Sequence, residues 1–397
     1  MFRIGTLTFF LFVILAQGTT ERNQNPTQAD CEAARNPVTE IGTRVQYASS
    51  IPPLASEQKV PAEPALGARY IRVLVQVEAH EACDWFLTVR DQNHRVIQTM
   101  TRKDFKETST RWTMRVLGGF VKFELKRCGK DVPTVNFTEY IAMTSAPANS
   151  YYSSSESDRE KFIPLSTQVT DERSLGDPVG LLMNSYLRYS WTCSGVMVAS
   201  DLFMTNWHCG GLAFFPGRNI KFWTDDVIED GILDLSFDGD ATSREYMTVG
   251  DKPVAECEEL DFALIRVSPI DSVGLARPAI LSATPVKPRA RIKLIHHPLA
   301  RPKQITQRCF VVSASRASWR SANEVDFTHD CASDFGSSGA PIFDERGYVV
   351  GLHHLGFTYD KDCEHSDGLN KAVRMDQILN YLERHHNSVY KLLDVRK

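Results

Sequence analysis

Three short segments of this 397-residue chain hold residue types that can carry nucleophilic chemistry. Gly336-Ser337-Ser338-Gly339-Ala340-Pro341 places a serine between glycines. A nucleophilic hydroxyl needs a tight turn that presents it and aims backbone N–H groups at one point, and flanking glycines permit that backbone. Thr205-Asn206-Trp207-His208-Cys209 supplies an imidazole, and Leu260-Asp261-Phe262-Ala263-Leu264 supplies a carboxylate that interrupts an apolar run. Taken singly, each has an ordinary explanation: a glycine-rich loop, a satisfied core histidine, a turn position. Their occurrence together in one half of the chain weakens all three.

The elements that must position these residues are short. From 161 to 375 the sequence runs in brief strand-like segments punctuated by Gly and Pro. Met375, Ile378, Leu379 and Leu382 then fall at helical spacing, so a C-terminal helix is expected on a β-rich body, with 386–397 as a tail. Residues 145–160, with Tyr151-Tyr152-Ser153-Ser154-Ser155, read as a Ser-rich linker. Before it, segments at 68–77, 86–90, 95–100, 112–116 and 120–125 read as a small β-sandwich over 66–144, with Tyr140-Ile141-Ala142 as a weak last member. Asp91-Gln92-Asn93-His94 and Gly118-Gly119 read as its hairpin turns. Asn136-Phe137-Thr138 is its glycosylation sequon. Residues 19–65 are polar without a period and are expected to be a flexible leader or propeptide. Residues 1–18 carry Arg3, an apolar run from Leu7 to Ala16 and small residues after it, the pattern of a signal peptide.

Composition narrows the function. Lys+Arg number 45 and Asp+Glu 49, giving a formal net charge of −4. That balance argues against a nucleic-acid partner, which needs a basic face. A hydrophobic content of 42% excludes a largely disordered chain. No segment after the signal peptide approaches the roughly 20 apolar residues of a membrane span. The expected location is therefore extracellular, where the nine cysteines would form disulfides by default.

In their order His208, Asp261, Ser338, the three segments resemble the signatures of chymotrypsin-fold (trypsin-like) serine proteases. The separations of 53 and 77 residues suit that fold. The glutamyl endopeptidase and microbial trypsin-like branch is the most similar. Its marks here are the serine before the nucleophile, the segment Ile295-His296-His297-Pro298-Leu299-Ala300-Arg301-Pro302-Lys303-Gln304-Ile305, and Val350-Gly351-Leu352-His353-His354. The resemblance covers about 165–385, and the protease domain is placed at 161–385. It implies an all-β fold: a chymotrypsin-like double β-barrel with a C-terminal helix, preceded by the sandwich. It also implies a serine endopeptidase acting on protein or peptide substrates and needing no cofactor; the N-terminal pattern makes it secreted, and without zinc spacing of His and Cys no metal is expected. Ser338 would be the nucleophile, His208 the general base and acid, and Asp261 the group that orients the imidazole. The N–H groups of Gly336 and Ser338 would form the oxyanion hole.

One departure concerns activation. Chymotrypsin-like zymogens carry an Asp before the nucleophile that pairs with a new N-terminus, and here Ser337 stands there. Activation by that ion pair is not expected, although Arg159 and Lys161 are candidate cleavage sites. For specificity, the resemblance points to Ser333, five residues before the nucleophile, and His353, fifteen after it. A hydroxyl beside a histidine can bind a carboxylate, so an acidic P1 residue is expected. Ala332 occupies the position where trypsin-like enzymes hold the Asp that selects Lys or Arg. The rival reading is a non-catalytic protease homologue that binds a partner through the same cleft.

Hairpin register suggests the disulfides. Cys193 and Cys209 are centred on 201, within the turn expected at Ser200-Asp201. Cys309 and Cys331 are centred on 320, within the loop Trp319–Asn323. Facing strand positions lie close enough to bridge. Cys83 and Cys128 are paired as the two cysteines of the sandwich. Cys31, Cys257 and Cys363 remain, with Cys257–Cys363 favoured and Cys31 left over.

Overall fold

The computed structural model describes residues 39–52, 55–78, 84–105, 109–126, 133–144, 162–186, 189–211, 222–229, 231–238, 244–270, 276–318, 322–356 and 369–397. The expected signal segment, the expected Ser-rich linker, Arg159 and Lys161, and Cys31, Cys83, Cys128 and Cys363 lie outside the described residues. Among the described residues, no helix is long and apolar enough to cross a membrane.

Two closed six-stranded barrels form the C-terminal body, a chymotrypsin-like double barrel. The first contains Val179–Tyr186, Tyr189–Ala199, Leu202–Thr205, Ile232–Asp234, Glu245–Val249 and Phe262–Pro269, and closes through pairing of its first two strands. The second contains Arg291–His296, Gln304–Arg316, Asp326–His329, Pro341–Asp344, Val349–Leu355 and Asn370–Arg374, and closes between Pro341–Asp344 and Val349–Leu355. A shared apolar core joins the two, with Val196, Met204 and Leu264 from one and Ile295, Phe343 and Leu352 from the other. The helix Met375–His385 buries Met375, Ile378, Leu379 and Leu382 against that core, the face its spacing predicts. The expected tail is instead part of the fold. Tyr390, Leu393 and Val395 pack on the same core, and Val395–Arg396 pairs with Leu281–Ser282.

The N-terminal region departs from the expected leader. Thr39–Ser50 and Glu57–Val60 are strands. Thr39–Ser50 pairs along Thr134–Thr144, and its first residues pair with Tyr189–Ala199 of the first barrel. One continuous sheet therefore runs from the barrel into the sandwich. The polar sequence hides this strand because its pairing is supplied by backbone groups at long range. Tyr140-Ile141-Ala142 likewise belongs to an eleven-residue central strand. The second sheet of the sandwich contains Glu57–Val60, Phe86–Arg90, Val96–Thr101 and Val121–Lys126. Asp91 caps the first expected turn, accepting the N–H groups of Asn93 and Arg95 at 2.8 Å each. Gly118-Gly119 is not a hairpin. Val116–Leu117 pairs in one sheet and Val121–Lys126 in the other, so this turn, with Gly118 at φ +110°, crosses between sheets. Asn136 lies half-buried within Thr134–Thr144 rather than on a loop.

The strand Ala68–Glu78 shows why the sandwich is fixed in place. Ile71, Val73, Val75 and Val77 fill the sandwich core. On the opposite face, Tyr70 packs with Met183, Ile232 and Phe237 of the C-terminal body. Arg72 joins that face and is 1% exposed. It contacts Glu245 and reaches Asp234 Oδ2 at 3.5 Å. Arg115 Nε donates to Asp234 Oδ2 at 2.7 Å, and its backbone N–H donates to Glu245 Oε2 at 3.0 Å. Burial works against ionised Asp234, but Arg115 and Arg72 hold its carboxyl below the usual range, while burial pushes Glu245 up.

Both testable bridges form. Cys309–Cys331 follows the strand register, since Val311 faces His329 and the next facing pair outward is the two cysteines, with Cα atoms 4.8 Å apart. Cys193–Cys209 forms by another route. The strand ends at Thr205, and Cys209 returns on the 3-10 turn Trp207–Gly210, at a Cα separation of 6.2 Å. The Cys257 thiol is free, so the favoured Cys257–Cys363 bridge is not formed.

Removing one partner from a buried charge cluster strands the others. Arg72→Met is expected to cost about 3–5 kcal/mol in chemical denaturation. A loss under about 1 kcal/mol would show that the cluster does not hold the sandwich.

Candidate active site

Strand pairing brings His208 and Asp261 together. Thr205 faces Ala263 between Leu202–Thr205 and Phe262–Pro269, so both residues leave adjacent strands at the same end. His208 lies on the turn Trp207–Gly210, and Asp261 adopts φ +43°, an uncommon backbone for a non-glycine residue. The Asp261 carboxylate has no exposed surface. Its Oδ2 lies 2.8 Å from His208 Nδ1, and its Oδ1 accepts the His208 backbone N–H at 3.0 Å. Asn206 Nδ2 donates to the Asp261 carbonyl at 2.8 Å, which fixes the turn. Burial alone would raise the Asp261 pKa. The fields and hydrogen bonds of His208 and His354 reverse this and hold it well below the usual carboxylate range. This contact sets the His208 tautomer, with Nδ1 as donor and Nε2 facing away.

The Ser338 loop is seated against the same strand ends. Gly339 has φ +83°, and a Cβ there would lie 2.2 Å from the Ser194 carbonyl and 2.3 Å from Thr205 Oγ1. Only glycine fits, and the fit sets the loop beside the segment that carries His208. Ser194 ties the two barrels together: its N–H donates to the Ser338 carbonyl at 2.7 Å and its Oγ to the Gly336 carbonyl at 2.7 Å. The His297 N–H donates back to Ser194 Oγ at 2.9 Å.

Peptide orientation bears on the expected oxyanion hole. The Phe335 carbonyl accepts the Leu299 N–H at 2.5 Å, and the Ser337 carbonyl accepts the Ala340 N–H at 3.0 Å. In a trans peptide the N–H points opposite its carbonyl. The N–H groups of Gly336 and Ser338 are therefore turned away from those partners. Ser337, the residue before Ser338, is held within the fold. Its Oγ accepts the Asp334 N–H at 3.1 Å and lies 2.7 Å from His296 Nδ1. His296 Nε2 in turn lies 3.4 Å from Thr306 Oγ1, which donates to the Ala332 carbonyl at 3.0 Å. Burial pushes the His296 pKa well below its ordinary value, so this relay is neutral.

The expected pocket residues lie on neighbouring segments. Ala332, Ser333 and His353 are buried. A Cβ on Gly356 would lie 3.6 Å from Ser333 Oγ, so Ser333 borders the strand that carries His353. The His353 N–H donates to the Ala340 carbonyl and its carbonyl accepts the Gly339 N–H, both at 2.8 Å. His353 Nδ1 lies 3.1 Å from His329 Nε2. Burial, then His329, lowers the His353 pKa well below its ordinary value.

Four residues here carried no individual role from sequence: Ser194, Asp326, His329 and His354. His354 Nδ1 lies 3.1 Å from Asp261 Oδ2, and its Nε2 lies 3.0 Å from Asp326 Oδ2. The doublet His353-His354 was the available signal, since successive strand residues face opposite sides. Among the described residues, the His/Cys/Asp/Glu group close enough to hold a metal is Cys193, His208 and Cys209, and its two sulfurs are bonded to each other.

Comparison with known proteins agrees on the body of the chain. Residues 193–352 match the family model for a trypsin-like peptidase domain. Two solved structures are similar in part. The Rv3671c protease in an inactive form is 17% identical with a TM-score of 0.35, covering 53% of this chain and 90% of that one. A serine-to-alanine mutant of Rv3671c from M. tuberculosis is 15% identical with a TM-score of 0.38, covering 57% of this chain and 95% of that one.

The buried histidines predict acid sensitivity. Burial holds His297 and His329 down to about 3, and His296 and His353 are also lowered. The unfolded chain binds these protons near pH 6.5 and the folded chain does not, so stability must fall as pH drops from about 6.5 toward 3. Urea denaturation as a function of pH should show an uptake of about four protons on unfolding in that window. A midpoint independent of pH down to about 4 would contradict neutral burial of these rings.

Proposed function

We propose that this chain is a secreted serine endopeptidase whose P1 pocket prefers acidic residues. The trypsin-like peptidase domain gives the reaction class. The observation that carries the reading is the buried His208–Asp261 contact at 2.8 Å beside a Ser338 loop pinned on Ser194 and Thr205. In the mechanism this supports, Ser338 Oγ attacks the scissile carbonyl while His208 Nε2 takes its proton. Asp261 stabilises the imidazolium that forms. His208 then returns the proton to the leaving amine, and water repeats the cycle on the acyl-enzyme. Gly336 and Ser338 N–H groups meet the developing oxyanion, each worth roughly 10²–10³ in rate.

Two further features support parts of this reading. The hydrogen bonds of Ser337 to Asp334 and His296 order the loop without a new N-terminus, which favours activity in the uncut chain. Two disulfides suit an oxidising compartment, which with the N-terminal segment favours secretion. Ser333 and His353 are the groups that would receive a substrate carboxylate.

A fluorophosphonate should label the full chain at Ser338, and Ser338→Ala should abolish labelling. A folded wild-type protein that does not label would favour the non-catalytic binding homologue. Peptides differing at P1 should be cut fastest after Glu, by about tenfold or more over Leu, and His353→Phe should remove that preference while sparing Leu cleavage. Efficient cleavage after Lys with none after Glu or Asp would overturn the acidic-P1 assignment.

A further inference from the structure

His354 is joined to the triad from behind. It has no exposed surface, and each ring nitrogen is within 3.1 Å of a different carboxylate, Asp261 on one side and Asp326 on the other. An acidic oxygen accepts and does not donate unless it is protonated. Two ionised carboxylates on one imidazole therefore require both nitrogens to carry protons. We infer that His354 is a cationic positioning residue, clamped by Asp326, that orients Asp261 and offsets part of the field with which Asp261 holds a proton on His208.

The surroundings agree. Burial opposes the charge, but Asp326 and Asp261 push the His354 pKa up to about 9. The other titratable neighbours are His329 beside Asp326, His353 on the same strand, and His208 across Asp261. His329 and His353 are pushed toward neutrality by burial, so neither competes for the carboxylates. The strand Asn370–Arg374, which pairs on both sides, brings Lys371 and Arg374, and Arg374 is committed to Asp376 at the start of the following helix. The cation is thus nearer to His208's partner than any other positive charge named here. Its charge opposes the charge that the His208 ring gains on taking a proton, an effect that an uncharged donor at this position would lack.

The tuning of a general base rests on the peptidase reading, but the charge on His354 does not. Asp326→Asn tests both. Its amide can still donate to a neutral His354 Nε2, and the largest source of the positive charge is gone. In ¹⁵N-histidine NMR of the wild type at pH 7, both His354 nitrogens should be protonated, and in Asp326→Asn only Nδ1. The His208 titration midpoint should move up by about half a unit or more, and the acid limb of kcat/KM should move with it. The Asp326→Asn, His354→Gln double variant should give the same shift, which covers misfolding of the single variant. A singly protonated His354 in the wild type overturns the proposal, as does a variant whose His208 midpoint stays put. A wild type without turnover whose His208 midpoint still moves in Asp326→Asn would refute the peptidase reading and leave the electrostatic one standing.

Discussion

A carboxylate with no contact to water must be answered by donors from every side, and Asp261 is where the fold meets that demand. The ring and backbone N–H of His208 come from the first barrel, and the His354 ring comes from the second. Neither barrel alone can satisfy this group. Its ionisation therefore favours one relative placement of the two barrels, the placement that also brings Ser194 under the Ser338 loop. The apolar core between them supplies the driving force, but apolar contact is not directional. Direction comes from the buried polar groups, because each misplacement would strand a charge.

The boundary between the sandwich and the first barrel uses the same chemistry. Arg72 and Arg115 cross it from one side, and Asp234 and Glu245 meet them from the other. Such a cluster is weak evidence for net stability, since taking four charges out of water is costly. It is stronger evidence for specificity. Together with the shared sheet through Thr39–Ser50, it makes the sandwich a built-in part of the body rather than a bead on a linker.

Local patterns were legible and long-range partners were not. The glycines around Ser338 advertised a strained turn, and the structure gives the reason at Gly339, where no Cβ fits. Cys309 and Cys331 pair as counted although two register shifts lie between the loop and the bridge, because the loop left room for the centre of the count to move by a residue. Cys193 and Cys209 are correct partners reached by a wrong path, since the count assumed a strand where a 3-10 turn forms. Nothing in the sequence pairs Arg72 and Arg115 with Asp234 and Glu245, because alternation shows which residues share a face but not what covers it. The strand at 39–50 carried no apolar period, and the tail at 386–397 was too short to show one.

The doublet His353-His354 carries this point furthest. The two rings are adjacent in sequence, on one strand, and equally removed from water. Burial pushes both toward neutrality. His353 faces another histidine, which offers no compensating charge, and stays neutral. His354 faces two carboxylates and is charged. Identical residues in identical burial therefore differ in charge only through what stands opposite them. One step along the strand thus sets His353 against His329 and His354 against Asp261 and Asp326. A shift of that strand by one residue would bring Leu352 or Leu355 to one of the two positions and leave its partners without an imidazole.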